Sequence, residues 1–396
     1  MTRIRHPVLG DISAELALLL DLAQVPESAA RAAITAPAGI DWLRLQELAD
    51  RHGLYVHLSE AVSRGRVAPC PPDVHESLRS GHRMRHLMNV LLEARLAEVI
   101  VALRAADVTA IALKGPALDQ LLYGGARLRQ YSDLDIWVPP EQVASAARRL
   151  KDLGFATEVD ARDPVRHPVL RDAGEMVFSR PGSPPLDVDL HWRLFPKSRR
   201  DCPPLTDFRE RLRSLSIASA EVATLGARDL LQYLCHHAVK DGCARLSHLH
   251  EVGLLLRQAG TADCERLLAE AASEKFRLAF SLSTYLAAKL LGAEVPHGIV
   301  ESVERMPRRA RLLDHLRNSW EHVDAATASP RFLQRVVEPS AIDHARLLLD
   351  EAMIPRIADW RALPLEQPLA ELYVVIRPLR LLLREIRSLA RTAMGV

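Results

Sequence analysis

The sequence predicts an α+β protein, with a strand-bearing segment at 107–200 set between helical regions at 1–106 and 201–396. Three observations carry this. Apolar residues recur at helical spacing over the first hundred residues, as at Leu16, Leu19 and Leu20. From Val108 the pattern changes to short β-branched or period-two runs punctuated by glycine and proline. Beyond Pro203-Pro204 the helical spacing returns. Strands interleaved with helices fit a compact α/β or α+β domain at the centre of the chain.

The elements follow in order. A first helix carries the Leu16 stripe, with Asp11 or Ser13 as its cap, and a second runs from Asp41 to Ser63 with Trp42, Leu45, Leu48, Ala49 and Leu54 on one face. Pro69, Pro71 and Pro72 break the chain ahead of a long amphipathic helix from Asp73 to Ala106. Val108–Leu113 reads as a strand ended by Lys114-Gly115-Pro116, followed by a helix to Tyr123 and a Gly124-Gly125 turn. Ser132–Val138 alternates at period two and stops at Pro139-Pro140. A helix from Glu141 to Leu153 closes on Gly154, and strands are expected at 155–159, 175–180 and 186–192. Helices are expected at Asp229–Val239, Leu246–Leu256, Cys264–Ala272 and Phe276–Leu291. Leu369–Ala393 is apolar on one side and arginine-rich on the other. Such a helix docks on its own domain or, as a basic amphipathic helix, lies on a membrane surface.

Composition narrows the function. A net charge of only +2 argues against a dedicated nucleic-acid binder, and no aromatic-basic stripe is present. Cys70, Cys202, Cys235, Cys243 and Cys264 are scattered without CxxC spacing, so neither a disulfide framework nor a zinc knuckle is expected. The N-terminus lacks an apolar leader core, and no run approaches the roughly 20 apolar residues of a membrane span. A soluble cytoplasmic protein is expected, with oligomeric state left open.

The chemistry concentrates on two strands. Residues two apart on a strand share a face, so Asp133 and Asp135 project together while Leu134 and Ile136 enter the core. Adjacent carboxylates repel unless a cation lies between them, and hard oxygen ligands suit magnesium, with manganese as a substitute. Downstream, Asp187, Asp189 and His191 share one strand face. If the two strands pair, three or four carboxylates converge, with a third able to take the proton of an attacking hydroxyl. A surface hairpin with charged outer positions is the alternative. His191 either lines this face or caps the hydrogen bonds of the strand. Tyr123 and Trp137 can stack on a base, but core packing is the commoner role. His236, His237, His248 and His250 raise a zinc site as a minority reading against core or acceptor-pocket histidines.

Ala112-Leu113-Lys114-Gly115, Leu121-Leu122-Tyr123, Arg127, Arg129, Ser132–Ile136, Gly154-Phe155 and Asp187–Trp192 together resemble the bacterial uncharacterised nucleotidyltransferase branch of the polymerase-beta-like superfamily. A weaker likeness extends over His236–Leu256, including Glu251. The resemblance implies a polymerase-beta-like mixed sheet, a nucleoside triphosphate donor (expected to be ATP) and two divalent metals. It implies Lys114 and Gly115 at the phosphate-holding turn, Asp133 and Asp135 as the metal pair, and Asp189 as the third carboxylate, with Asp187 beside it. The superfamily usually has Gly-Ser at the turn, whereas here Pro116 follows Gly115; Lys114, Arg127 or Arg129 is expected to supply the missing phosphate contact. The implied reaction moves a nucleoside monophosphate to a peptide, sugar or small-molecule acceptor, as suits a natural-product or polysaccharide pathway, and releases pyrophosphate. Two other classes fit the same residues: an inactive relative that binds nucleotide or a partner, and a helical interaction protein with incidental carboxylate strands.

Overall fold

The structure is a computed structural model that describes residues 2–25, 32–182, 185–195, 208–269, 274–322 and 352–393, with single positions 342, 345 and 349. Cys202, the Pro203-Pro204 boundary and the end of the helix expected at Cys264–Ala272 lie outside these residues. The chain divides into two compact units. One, the helical unit, comprises Met1–Leu96, Leu113–Tyr131 and Pro203–Glu338; the other, the sheet unit, comprises Ala97–Ala112, Ser132–Cys202 and Pro339–Val396. Secondary structure is α+β with a mixed sheet.

In the sheet unit, strands pair in the order Glu175–Arg180, Leu186–His191, Asp133–Trp137 and Ile111–Ala112. The middle pair is parallel and the flanking pairs are antiparallel. A parallel neighbour cannot be reached by a tight turn. Here the intervening chain includes the helix Val143–Asp152, which buries Val143, Ala146, Ala147 and Leu150 on one stripe. Gly154, just past its end, has φ +84°, the left-handed conformation expected of a helix stop. Leu134, Ile136, Val188, Leu190 and Phe178 are fully buried between the sheet and its cover. Burying each such side chain contributes about 1.5–3 kcal/mol.

Two expected strands are shorter than their apolar runs. Val108–Leu113 pairs only at Ile111–Ala112, and 155–159 is reduced to a single bridge between Ala156 and Ser179. The apolar residues there are buried as predicted, but burial alone does not create a ladder partner. The strand at Asp133 departs from simple alternation, because Asp135 is buried along with Leu134 and Ile136.

The helical unit is not wholly helical. Arg3–His6 and Gly10–Ser13 form a hairpin, and Ile34–Thr35 pairs in parallel with Val67–Ala68. These strands are too short to show a period-two pattern. The expected helix at 41–63 is two, Trp42–Arg51 and Tyr55–Ser63, broken at Gly53. The long helix begins at Pro72 itself, since proline suits the first turn of a helix, and runs to Arg104. A second hairpin, Arg213–Ile217 with Ala220–Thr224, interrupts the region read as helical. Its two turn residues, Ala218 and Ser219, both have positive φ without the Asn-Gly signature that announces such a turn.

At the other end of the chain, the helix Tyr373–Ala393 docks by its polar side. Arg377 and Arg380 each reach the buried Asp359 at 2.7 Å, and Tyr373 is fully buried. Val375, Leu379, Leu382 and Ile386 are exposed. A buried carboxylate thus decides which face turns inward, against the apolar stripe. Among the described residues, no helix is long and apolar enough to cross a membrane.

His52 ties three segments of the helical unit together. Its Nε2 donates to the Trp320 carbonyl at 3.2 Å, and its Nδ1 accepts from the Leu246 amide at 3.3 Å. The ring is buried and must be neutral to make both bonds. Burial, with help from the charges of Arg51 and Arg245, pulls its pKa from 6.5 to about 4 against the opposing pull of the Trp320 carbonyl. The folded pKa lies below the unfolded one, so the stability contributed by neutral His52 is complete above pH 6.5 and is lost as pH falls toward 4. From pH 7 to pH 5 this loss is about 2 kcal/mol. Urea unfolding at both pH values is expected to show it, and His52→Gln, which keeps a donor and an acceptor but does not titrate, to remove about that much of the slope. An unchanged slope would place the acid sensitivity in other groups.

Candidate functional site

Parallel pairing of Asp133–Trp137 with Leu186–His191 sets the carboxylates opposite one another. Asp133 faces Asp187, Asp135 faces Asp189, and Trp137 faces His191 in the register. Paired residues share a face, and neighbouring strands lie ~4.8 Å apart. Asp135, Asp189 and His191 consequently bring one ligand atom each to within 4.8 Å of one another. Asp133 and Asp187 stand one step earlier on the same face and lie outside that group of three.

The antiparallel neighbour adds a fifth carboxylate. Glu175 is the register partner of His191, and its Oε2 lies 3.2 Å from the imidazole Nδ1. On the other side, Nε2 of His191 lies 3.1 Å from Oδ1 of Asp135. Both ring nitrogens donate to carboxylates, which requires the imidazolium. Burial alone would lower the pKa of His191, but the hydrogen bonds and charges of Asp135 and Glu175 outweigh it and raise the pKa to about 9. Asp189 is pushed up to about 7, first by burial and next by the charge of Asp135, with Asp133 and Glu175 adding and His191 opposing.

Two carboxylates, of Asp135 and Glu175, therefore hold one imidazolium, with Asp189 close beside them. Desolvation and mutual repulsion work against ionising them all together. A hard divalent cation could be held by such an oxygen-rich set, with Asp135 and Asp189 the carboxylates whose atoms lie close enough to share it. His191 fixes Asp135 from the flank.

The remaining expected residues belong to the helical unit. Gly115, at φ 60° and ψ −130°, caps the helix Pro116–Tyr123 in a conformation that only glycine adopts readily. Lys114 Nζ lies 2.8 Å from Nε2 of His237, and Nδ1 of His237 lies 3.1 Å from Oδ2 of Asp241. Arg127 makes a two-pronged bond to Glu93, at 2.8 and 2.7 Å, and Arg129 Nε bonds Glu251 at 2.8 Å. Both arginines are thus engaged with carboxylates from helices of their own unit.

Asp119 organises this loop. Its Oδ2 and Oδ1 accept the backbone N–H groups of Arg127 and Arg129, each at 2.9 Å, while Asn89 donates to the carbonyl of Arg129 at 2.9 Å. Arg127 itself has φ 56°, a left-handed conformation held in place by these bonds. Asp119, Glu93, Glu175 and Asp241 were not among the residues expected from the sequence. Two of them carried a readable signal: Asp241 lies four residues after His237 on one helix face, and Glu175 opens a strand that was itself expected.

The model of a family described as an uncharacterised nucleotidyltransferase matches residues 38–292. The chain belongs to this family. The match covers well over half of the chain and includes both the paired aspartate strands and the loop anchored by Asp119. Among solved structures, the chain is similar to an antigenic nucleotidyltransferase-like protein from Paracoccidioides brasiliensis, at 10% identity and a TM-score of 0.36 over 54% of this chain and 96% of that one. No curated protein matches.

The Asp119 network predicts a specific cost. Asp119→Ala strips acceptors from two part-buried backbone donors, and each charge-assisted bond is worth about 1.5–3 kcal/mol. Thermal or urea denaturation is expected to show a loss of that order or more, and limited proteolysis to find new cleavage between Gly124 and Gln130. Wild-type stability and an unchanged digest would show that the loop holds its shape without Asp119.

Proposed function

We propose that this chain is a magnesium-dependent nucleotidyltransferase that moves a nucleoside monophosphate from a triphosphate, with ATP as the expected donor, to a peptide, sugar or small-molecule acceptor. The observation that carries the reading is the parallel register that sets Asp135 beside Asp189 at a distance a single cation spans. Membership of a nucleotidyltransferase family supports it independently.

Asp133, Asp135 and Asp189 are assigned as metal ligands, with Asp187 at the margin of the set and manganese as a substitute ion. When bound, the cation offsets charge on the phosphate oxygens. His191, bridging Asp135 and Glu175, keeps the Asp135 carboxylate in place. Lys114 supplies positive charge to the phosphates, and Gly115 leaves room for the backbone at the turn where Pro116 replaces the usual serine. Arg127 and Arg129 act through Glu93 and Glu251 to shape the loop between. In the reaction the acceptor oxygen bonds to the α-phosphorus as the bond to the bridging oxygen of the β-phosphate breaks. Pyrophosphate leaves, and the acceptor proton passes to Asp189.

A nucleotide-binding relative without chemistry is the second reading, and the absent serine hydroxyl favours it. Calorimetry separates the possibilities. Each of the four common triphosphates is titrated with and without magnesium into wild type, Asp135→Asn and Asp189→Asn. Magnesium-dependent binding that weakens at least tenfold in both variants is expected, together with pyrophosphate release once an acceptor is supplied. Binding that ignores both magnesium and the substitutions would contradict the assignment. Binding without pyrophosphate release from any peptide, sugar or small-molecule acceptor would favour the second reading.

A further inference from the structure

We propose that the helical unit carries a second ligand site, a cavity that takes a small organic carboxylate through Arg309 and Tyr285. The site is independent of the aspartate strands, and neither reading depends on the other.

The cavity measures about 460 Å³ and lies between the loop of the N-terminal hairpin and the helices Glu274–Leu291, His297–Glu304 and Arg309–Glu321. That volume falls in the range of about 300–1,000 Å³ usual for small-molecule sites. The hairpin loop is held in shape from both sides. Nδ1 of His6 accepts the amides of Val8 and Leu9, each at 3.2 Å, and Nη1 of Arg317 donates to the Leu9 carbonyl at 3.3 Å. Pro7, Val8 and Leu313 give the cavity an apolar side.

The polar side is incomplete. Tyr285 is 1% exposed, and its hydroxyl accepts a bond from Nη1 of Arg309 at 3.4 Å. Among the described residues nothing accepts the hydroxyl proton in return. A buried O–H left without an acceptor is costly. Tyr285 lines the cavity, so a ligand oxygen placed there meets that proton.

Charge supplies a separate observation. The lining holds three cations, Lys289, Arg309 and Arg317, against two carboxylates, Glu304 and Asp314. Lys289 pairs with Glu304 at 2.8 Å, and Arg317 with Asp314 at 3.1 Å. Arg309 acts on Glu304 through space, but among the described residues it makes no ion pair and no hydrogen bond besides that to Tyr285. It also opens the helix Arg309–Glu321, which no side chain caps, and the next residue, Ala310, lines the cavity. The unmatched backbone donors of a helix start favour an anion as well.

The chemistry of these groups selects the class of ligand. A carboxylate accepts from a guanidinium through both oxygens and still takes a hydroxyl proton. One surplus positive charge matches a monoanion, whereas a phosphate dianion sets a second negative charge against Glu304 and Asp314. Water meets the Tyr285 proton but leaves the Arg309 charge unmatched. The apolar side suits a branched or aromatic body on the acid.

Acetate, 4-methylpentanoate and phenylacetate are the probes, titrated into the full chain and followed by saturation-transfer NMR. The neutral 4-methylpentanamide and inorganic phosphate serve as comparisons. Wild type is expected to bind 4-methylpentanoate or phenylacetate saturably, and 4-methylpentanamide at least tenfold more weakly than its acid. Arg309→Met is expected to weaken binding of the acid at least tenfold. Tyr285→Phe, which keeps the buried ring and removes only the hydroxyl, is expected to weaken it several-fold. Melting curves identify any variant that fails to fold, and the amide comparison in wild type keeps the test available if one does. No saturable binding by any of the three acids overturns the proposal. So does equal binding by acid and amide, equal binding by the folded variants, or phosphate binding tighter than that of every carboxylate.

Discussion

Two strands running in the same direction with aspartates at the same spacing cannot avoid stacking those aspartates. Asp133 meets Asp187 and Asp135 meets Asp189, because the register that buries Leu134 against Val188 and Ile136 against Leu190 permits no other pairing. The apolar half of each strand thus enforces the crowding of the polar half. Slipping one strand by one residue would relieve the repulsion but turn its core side chains outward, Leu134 and Ile136 on one strand or Val188 and Leu190 on the other, at a cost of about 1.5–3 kcal/mol each. Core burial outweighs carboxylate repulsion, and the site is a consequence.

That repulsion is moderated by His191, a basic group bonded within the cluster. Held between Asp135 and Glu175, it carries a full charge despite its burial. The arrangement keeps the carboxylates fixed while leaving Asp189 with an unusually high affinity for a proton. A fold that needed only stability would be better served by apolar residues at these positions. The helical unit shows the complementary pattern: Asp119 gathers a loop through backbone donors, and Glu93 and Glu251 hold the arginines that the loop presents.

Legibility in the sequence followed the range of the interaction. The aspartate strands were readable because period two is a local property, and Asp135 with Asp189 came together as their spacing implied. Glu175 was hidden: its role depends on an antiparallel register that no local pattern specifies. The hairpin at Arg213–Thr224 was missed because Ala218 and Ser219 adopt positive φ without the residues that favour it. The terminal helix showed its amphipathic pattern plainly, yet the inward face was decided by Asp359, a buried carboxylate some twenty residues earlier in the chain. Arg127 and Arg129 read as ligands by charge alone; their partners Glu93 and Glu251 lie on helices far away in sequence, and only the fold reveals them.

The central claim is that Asp135 and Asp189 hold a divalent cation between them. Manganese, paramagnetic and able to stand in for magnesium, reports this directly through the loss of its free-ion electron paramagnetic resonance signal on binding. Titration into the full chain with ATP is expected to show at least one bound manganese in wild type, and binding weakened tenfold or more in both Asp135→Asn and Asp189→Asn. Equal binding by all three proteins would mean that the metal site assigned here does not exist.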